Sequence, residues 1–386
     1  MNTRILITLC ISIMSTMIGI GILLPILPLY AENMGASGSM IGIIFSSFAI
    51  TLAIANPITG RISDRIGYKP IIILGLSLHI PVALLYVIAT SPWHLVIIRL
   101  AEGVVCAMVQ TAAMAYAGSI APKDKEGSYL GTFNTFIYLG LGTGPLMGGY
   151  LAQKYSVQMP FYAMAAFLCV ALLFVLIWLP AYRHTPSKQN PAEATADKPS
   201  IKGILALDAM KGLLLFAIII SLGQSGMMTF LPILVSKVEI STTQIGILSS
   251  VIMLCAGILQ TPFGYLANKY DKTFMVVAGT LMVGVILAYI PLCSRFSSFL
   301  VLSIIGGTGG AIATPAAVAI VVRNTKNMGL GFTMGIYHLC FGIGMIAGPV
   351  LSGLIMDLSN LNNVFYFSSV LFILSTMAIH HYTKEK

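Results

Sequence analysis

The chain has 386 residues, 57% of them hydrophobic and only 9% charged, and it carries a net charge of +9. Soluble domains carry roughly 25% charged residues, and the mean hydropathy of +0.93 points the same way. A water-soluble enzyme, a nucleic-acid-binding domain and a disordered chain are excluded, which leaves an integral membrane protein.

Crossing a bilayer takes about 20 mostly apolar residues, and the sequence offers twelve such stretches. The first six cover residues 5–30, 40–60, 70–89, 93–117, 129–151 and 159–179. The first exceeds a signal-peptide core and has no small-residue cleavage site, so it is expected to remain. A polar stretch, 183–211, follows, with Pro186, Pro191 and Pro199 among charged residues, a linker composition. The second six cover 212–235, 244–264, 274–293, 299–322, 331–356 and 364–382. The expected architecture is an all-α membrane protein of twelve transmembrane helices in two pseudo-symmetric six-helix bundles. These are residues 1–182 and 212–386, joined by a cytoplasmic linker, 183–211.

Charge sets the expected orientation. With both termini cytoplasmic, 17 of the 21 lysines and arginines fall in inner segments and only Lys154, Lys237 and Arg295 in outer loops. That bias follows the positive-inside rule. Trp93 and Tyr30 at outer ends, and Trp178 and Tyr182 at an inner end, suit interfacial anchoring. The basic residues are dispersed, so they mark no anionic partner. The six cysteines lie in apolar stretches without CxxC spacing, and buried reduced thiols are expected, with no disulfide framework, metal site or cofactor.

The halves repeat. At an offset of 204, Ile41-Gly42-Ile43 matches Ile245-Gly246-Ile247, Gly60 matches Gly264, Gly144-Pro145 matches Gly348-Pro349, and Phe161-Tyr162 matches Phe365-Tyr366. Leu24-Pro25-Ile26-Leu27 echoes Leu231-Pro232-Ile233-Leu234 at offset 207. Repeated halves around a central site are a common transporter plan.

Three segments carry a resemblance to the major facilitator superfamily. Gly60-Arg61-Ile62-Ser63-Asp64-Arg65-Ile66-Gly67-Tyr68-Lys69 is similar to the family's G-x-L-x-D-R-x-G-R-K loop. Arg99-Leu100-Ala101-Glu102-Gly103 is similar to R-x-x-Q-G, with Glu102 where Gln is usual. Gly140, Gly144-Pro145 and Gly148-Gly149 resemble the G-x-x-x-G-P-x-x-G-G motif of drug/proton antiporters. The resemblance implies a gating latch of Gly60, Asp64, Arg65, Gly67 and Lys69, with a degenerate second-half counterpart at Gly264 to Lys269. It also implies that spans 4, 5, 7 and 11 border a central cavity, where Gln110, Asn134, Tyr138, Gln224 and Tyr337 are candidates for substrate contact. Met227 and Met228 would add an adaptable apolar lining.

Independently of that resemblance, a proline inside a helix removes a hydrogen bond and costs about 3 kcal/mol or more. Gly144-Pro145 therefore marks either close glycine packing or a hinge. Arg99 and Glu102 are an intramembrane ionisable pair at i and i+3, so they share a helix face and can pair. Glu102 is read as a proton carrier, a permanent ion pair or a contact for a cationic substrate. His338 can also titrate, but a lone histidine beside Tyr337 is more often a hydrogen-bonded packing residue. His79 is expected to face helices or lipid. Gly35-Ala36-Ser37-Gly38 formally matches a rhomboid-type G-x-S-G, but it lies in a short outer loop.

The reading is a non-enzymatic secondary transporter of the plasma (inner) membrane, exporting small, largely apolar, drug-like molecules in exchange for protons. Its partners would be a small-molecule substrate, protons and lipid, without nucleic acid, and it would act as a monomer. Alternatives are export of an endogenous metabolite or siderophore, proton-coupled import, or a membrane-embedded enzyme or receptor.

Overall fold

The computed structural model describes residues 2–122, 126–180, 208–267, 269–324 and 330–383. Among these the structure is helical, with no strand. Apolar runs of this length become helices because lipid offers no partner to a backbone N–H or C=O, so the segment must satisfy its own. The helices of the N-terminal half are α1 (Asn2–Asn33), α2 (Gly38–Ile66), α3 (Tyr68–Leu85), α4 (Pro92–Ser119), α5 (Glu126–Lys154) and α6 (Met159–Trp178). Those of the C-terminal half are α7 (Asp208–Ser236), α8 (Thr242–Leu266), α9 (Lys272–Tyr289), α10 (Phe296–Asn324), α11 (Leu330–Leu358) and α12 (Leu361–Thr383). Single 3-10 turns, Tyr86–Ile88 and Ile290–Leu292, close α3 and α9.

Short polar side chains start several helices by accepting orphan N–H groups. Ser37 caps α2 by accepting from Met40, Ser91 caps α4 ahead of Pro92, and Ser241 with Gln244 forms a capping box on α8. The serine of the rhomboid-like tetrapeptide is therefore a helix cap. At the far end of α2, Gly67 adopts φ 98°, a conformation open to glycine, and its N–H returns to Ser63 O at 2.9 Å. α3 starts at the next residue.

The helices pack by one rule applied twice. α1 packs on α5 and α6, α4 on α2 and α3, and α3 on α6; α7 packs on α11 and α12, α10 on α8 and α9, and α9 on α12. The halves meet through α2–α11 and α5–α8, which exchange places under the same operation. Small residues let these backbones approach closely. Gly140, Gly144 and Gly148 meet Met14, Ile18 and Ile22 of α1, while Gly344, Gly348 and Ser352 meet Ile218, Leu222 and Gly226 of α7. Every one of these contacts has its twin 204 residues on. The offset of 204 thus extends through α1 and α7, with Pro28 opposite Pro232, and the echo at offset 207 is not a structural equivalence.

Hydrogen bonds between the halves gather at the end that carries the 34–37 and 237–241 connections. Asp357 of α11 accepts from Gly38 N at 2.7 Å and Ser39 N at 2.8 Å, and from the Ser39 hydroxyl. Ser46 Oγ donates to Ile346 O at 2.5 Å, Leu146 N to Ser250 Oγ at 2.8 Å, and Thr243 N to Gln153 Oε1 at 3.1 Å. Gly42 lies against Pro349 and Gly246 against Pro145. Farther along the same interface, Tyr138 of α5 meets Gln260 of α8 side chain to side chain. Toward the opposite end, a methyl group on Gly131 or Gly335 would meet nothing within 4 Å, and Asn134, Gln224 and His338 are exposed. Among the described residues the first end is closed by hydrogen bonds between the halves, and these two glycines toward the other end face open space.

Several expectations need correction. α2 continues to Ile66, so Gly60 lies inside a helix with room around it, its added methyl reaching only Thr111 at 3.8 Å. α7 begins at Asp208, inside the stretch expected as linker; residues 183–207, Tyr182 and Asn268 lie outside the described residues. Tyr30 is no interfacial anchor: it is buried, and its hydroxyl donates to Tyr86 O and Ala89 O, tying α1 to the first 3-10 turn. Cys169 is exposed, unlike the buried Cys10 and Cys106. Eleven helices are long and apolar enough to cross a membrane among the described residues. α5 falls short because Gly, Thr, Asn and Tyr dilute it, and it is flanked by α1 and α8.

Candidate functional site

Two features lie in opposite halves. The first is an ion cluster inside the N-terminal half. Arg99 Nη1 donates to Glu102 Oε2 at 2.8 Å across one helical turn, as the i, i+3 spacing predicts. The 3-10 turn brings in Tyr86, whose hydroxyl donates to the same Oε2 at 2.5 Å. Its ring stacks on Phe161 with centroids 5.1 Å apart. From α3, His79 Nε2 stands 3.8 Å from Glu102 Oε1, too far for a hydrogen bond. Beneath Arg99 lies the Phe48 ring, 4.2 Å from the guanidinium carbon, so π-electrons supply part of the charge compensation.

Glu102 and His79 are 0% exposed and Arg99 is 5% exposed. Several kcal/mol of desolvation per ion oppose such burial, to be offset by pairing and hydrogen bonds. The offset is incomplete: Glu102 Oε1, Arg99 Nε and both His79 nitrogens have no hydrogen-bond partner. The carboxylate oxygen that Arg99 and Tyr86 leave free thus faces the His79 imidazole across 3.8 Å.

The second feature is a cavity of about 120 Å³ in the C-terminal half. Gln224, Met227, Met228 and Tyr337, all expected as cavity residues, line it from α7 and α11. Thr280 of α9 and Ser303 of α10 complete its polar lining with Thr314. No ionisable Asp, Glu, Lys, Arg or His lines it.

Other expected site residues fall elsewhere. Gln110 and Asn134 do not line this cavity, and Tyr138 borders a small cleft between α5 and α8. His338 is exposed with its ring against Tyr337, in the other half from Glu102. Of the latch residues, Asp64 and Arg65 are exposed, Gly67 makes the turn, and Lys69 Nζ donates to Leu176 O at 3.4 Å. Asp64 has no hydrogen-bond or ion-pair partner among the described residues. The Gly140-to-Gly149 motif serves packing on two faces: Gly140, Gly144 and Gly148 toward α1, and Pro145 and Gly149 toward α8. Among the described residues no group of three or more His, Cys, Asp or Glu is placed to hold a metal ion.

Sequence reasoning missed His79 and Tyr86 as partners of Glu102. The hairpin between α3 and α4 carried the signal. A turn near Thr90 sets residues 79 and 102 at nearly equal depth on antiparallel helices. Asp357, one residue past the expected span 331–356, carries no sequence signal of its contact with the other half.

Long apolar helices, a buried charge cluster and an apolar exterior define a multi-pass membrane protein. A profile described as "Major Facilitator Superfamily" matches residues 9–238 and 213–385. The chain belongs to the major facilitator superfamily of transporters. It is 28% identical over 365 residues to an uncharacterized MFS-type transporter, MJ1560, of Methanocaldococcus jannaschii, covering 93% of each chain. It is 24% identical over 359 residues to the quinolone resistance protein NorA of Staphylococcus aureus, covering 92% of this chain and 91% of that one. Among solved structures, a bacterial homolog of the human lysosomal transporter Spinster, in an inward-facing and occupied conformation, superposes with a TM-score of 0.85. At 13% identity it covers 99% of this chain and 97% of that one, and shares its fold.

Proposed function

We propose that this transporter exports small, largely apolar molecules across the plasma (inner) membrane in exchange for protons. Its twelve helices, in two six-helix bundles with both termini cytoplasmic, rock about a central cavity. The observation that carries the reading is the buried Arg99–Glu102 pair with His79 against the unpartnered Glu102 oxygen. A sealed carboxylate left half-satisfied is costly as a purely structural element, and that cost favours a proton-loading role for it.

In this orientation the closed end is the outer one, and the structure is inward-facing. The resemblance to the inward-facing Spinster homolog supports that assignment, and the name of the staphylococcal relative, a quinolone resistance protein, supports a drug-like cargo. Among the described residues Asp64 has no latch partner, which fits a latch that engages only on inner closure. Full burial argues against Glu102 as a direct contact for a cationic substrate. The His338 ring, exposed in the other half, is a lesser candidate for the proton path.

The test is flux in proteoliposomes under an imposed pH gradient. Substrate should move against its own gradient while protons move the other way, and Glu102→Gln should abolish driven transport while sparing substrate exchange. Uphill transport that ignores the pH gradient, or survives Glu102→Gln unchanged, would overturn the coupling.

A further inference from the structure

The offset of 204 relates the ion cluster to the cavity residue by residue. His79, Tyr86, Arg99 and Glu102 correspond to Val283, Ile290, Ser303 and Gly306, and all four counterparts line the C-terminal cavity. Each counterpart is a shorter side chain. One half fills this place with an ion pair, an imidazole and a phenol; the other leaves it hollow.

We propose that this hollow is a recognition site for the uncharged, ring-sized end of a ligand that carries a hydroxyl or carbonyl group. The proposal rests on the transport reading above and names the chemistry of the cargo. Three observations converge on it. First, the volume of about 120 Å³ approaches the roughly 150 Å³ that holds a benzene molecule in an apolar protein cavity. It therefore takes one ring and leaves the rest of a larger ligand outside. Gln224, exposed yet part of the lining, stands where that remainder would emerge.

Second, Thr280 Oγ1 is buried, lines the cavity and has no hydrogen-bond partner. Threonine in a helix ordinarily bonds back to its own backbone, so a free hydroxyl here is available to a guest. Ser303, at the position of Arg99, is the second hydroxyl in the lining. Third, the walls carry Phe216, Met227, Met228 and Phe341 but no formal charge. An ion entering would lose its hydration without meeting a counter-charge, which selects against cations and anions alike. The cluster in the other half lies outside this lining.

The glycines supply a clean perturbation. A Cβ added at Gly306 or Gly310, both in the lining, meets nothing within 4 Å. Gly306→Leu puts bulk into the hollow from a Cβ that meets no neighbour, and it removes a helix-disfavouring residue.

The test is equilibrium dialysis of the purified full-length protein in lipid nanodiscs, without any gradient and with empty nanodiscs as the partition control. The probes are 2-naphthol, naphthalene, 2-naphthoate and 2-naphthylmethylammonium. 2-Naphthol should bind saturably, with the two charged probes at least tenfold weaker. Thr280→Val should weaken 2-naphthol about fivefold and leave naphthalene unchanged. Gly306→Leu should remove saturable binding of both, and Gly310→Val should do the same should the leucine variant misfold. Charged probes binding as tightly as 2-naphthol, or unchanged binding in the filled variants, would overturn the proposal. If 2-naphthol binds as stated but no proton-driven flux exists, the transport reading falls and the site stands. If driven flux of uncharged compounds persists in Gly306→Leu, the site falls and transport stands.

Discussion

Asp357 and Gln153 hold the same place in the two halves, 204 residues apart, and each caps the first turn of a helix belonging to the other half. Asp357 binds the N-terminus of α2 with a full charge, and Gln153 binds that of α8 with a neutral amide. A helix N-terminus carries partial positive charge, so the carboxylate is the stronger of the two clasps.

Asp357→Asn should therefore weaken closure of this end by about 0.3–1 kcal/mol, a two- to fivefold rise in the open population. Gln153→Glu should act in the opposite sense. Spin labels at exposed positions 33 and 360 report the opening as a second, longer distance in pulsed electron resonance.

Removing Arg99 leaves a buried carboxylate without its cation. Arg99→Ala should cost about 3–5 kcal/mol of stability, while the double variant Arg99→Ala with Glu102→Ala should cost less than Arg99→Ala alone. Denaturant unfolding in detergent measures both. A double variant less stable than the single one would mean that packing, and not charge, dominates the site.

Tyr86→Phe keeps the stack on Phe161 and deletes one hydrogen bond to Glu102. The expected loss is about 1–3 kcal/mol, because the carboxylate oxygen loses a donor in a dry site. Infrared difference spectroscopy on this variant should also show a shifted carboxyl or carboxylate band that disappears in Glu102→Gln.

The glycines divide by end. Gly42→Val places a side chain against the Pro349 backbone and should drive the closed end apart, lowering the melting temperature of this conformation. Gly131→Ala meets nothing and should stabilise by up to about 1 kcal/mol through helix propensity alone. Thermal unfolding of both variants in one detergent checks the contrast.

Helix existence and order were legible because length and hydropathy alone decide them in lipid. The repeat was legible too, since Gly144-Pro145 and Gly348-Pro349 are backbone requirements that survive in sequence. The Arg99–Glu102 pair followed from spacing within one helix. Contacts between helices did not: His79 joins Glu102 only through the α3–α4 hairpin, and Asp357 meets Ser39 only when two halves close. The α5 helix shows a further limit. Its low hydropathy reflects neighbours made of protein, whereas the span criterion assumes neighbours made of lipid.

Where Gly42 rests on Pro349 and Gly246 on Pro145, main chain touches main chain with no long side chain between. Such a seam cannot yield by stretching one flexible arm at a time. It comes undone as a unit or stays shut, which makes partial apertures short-lived and leaves ions little chance to leak past a travelling cargo. Tightness during turnover is thus a property of the smallest residues in the chain.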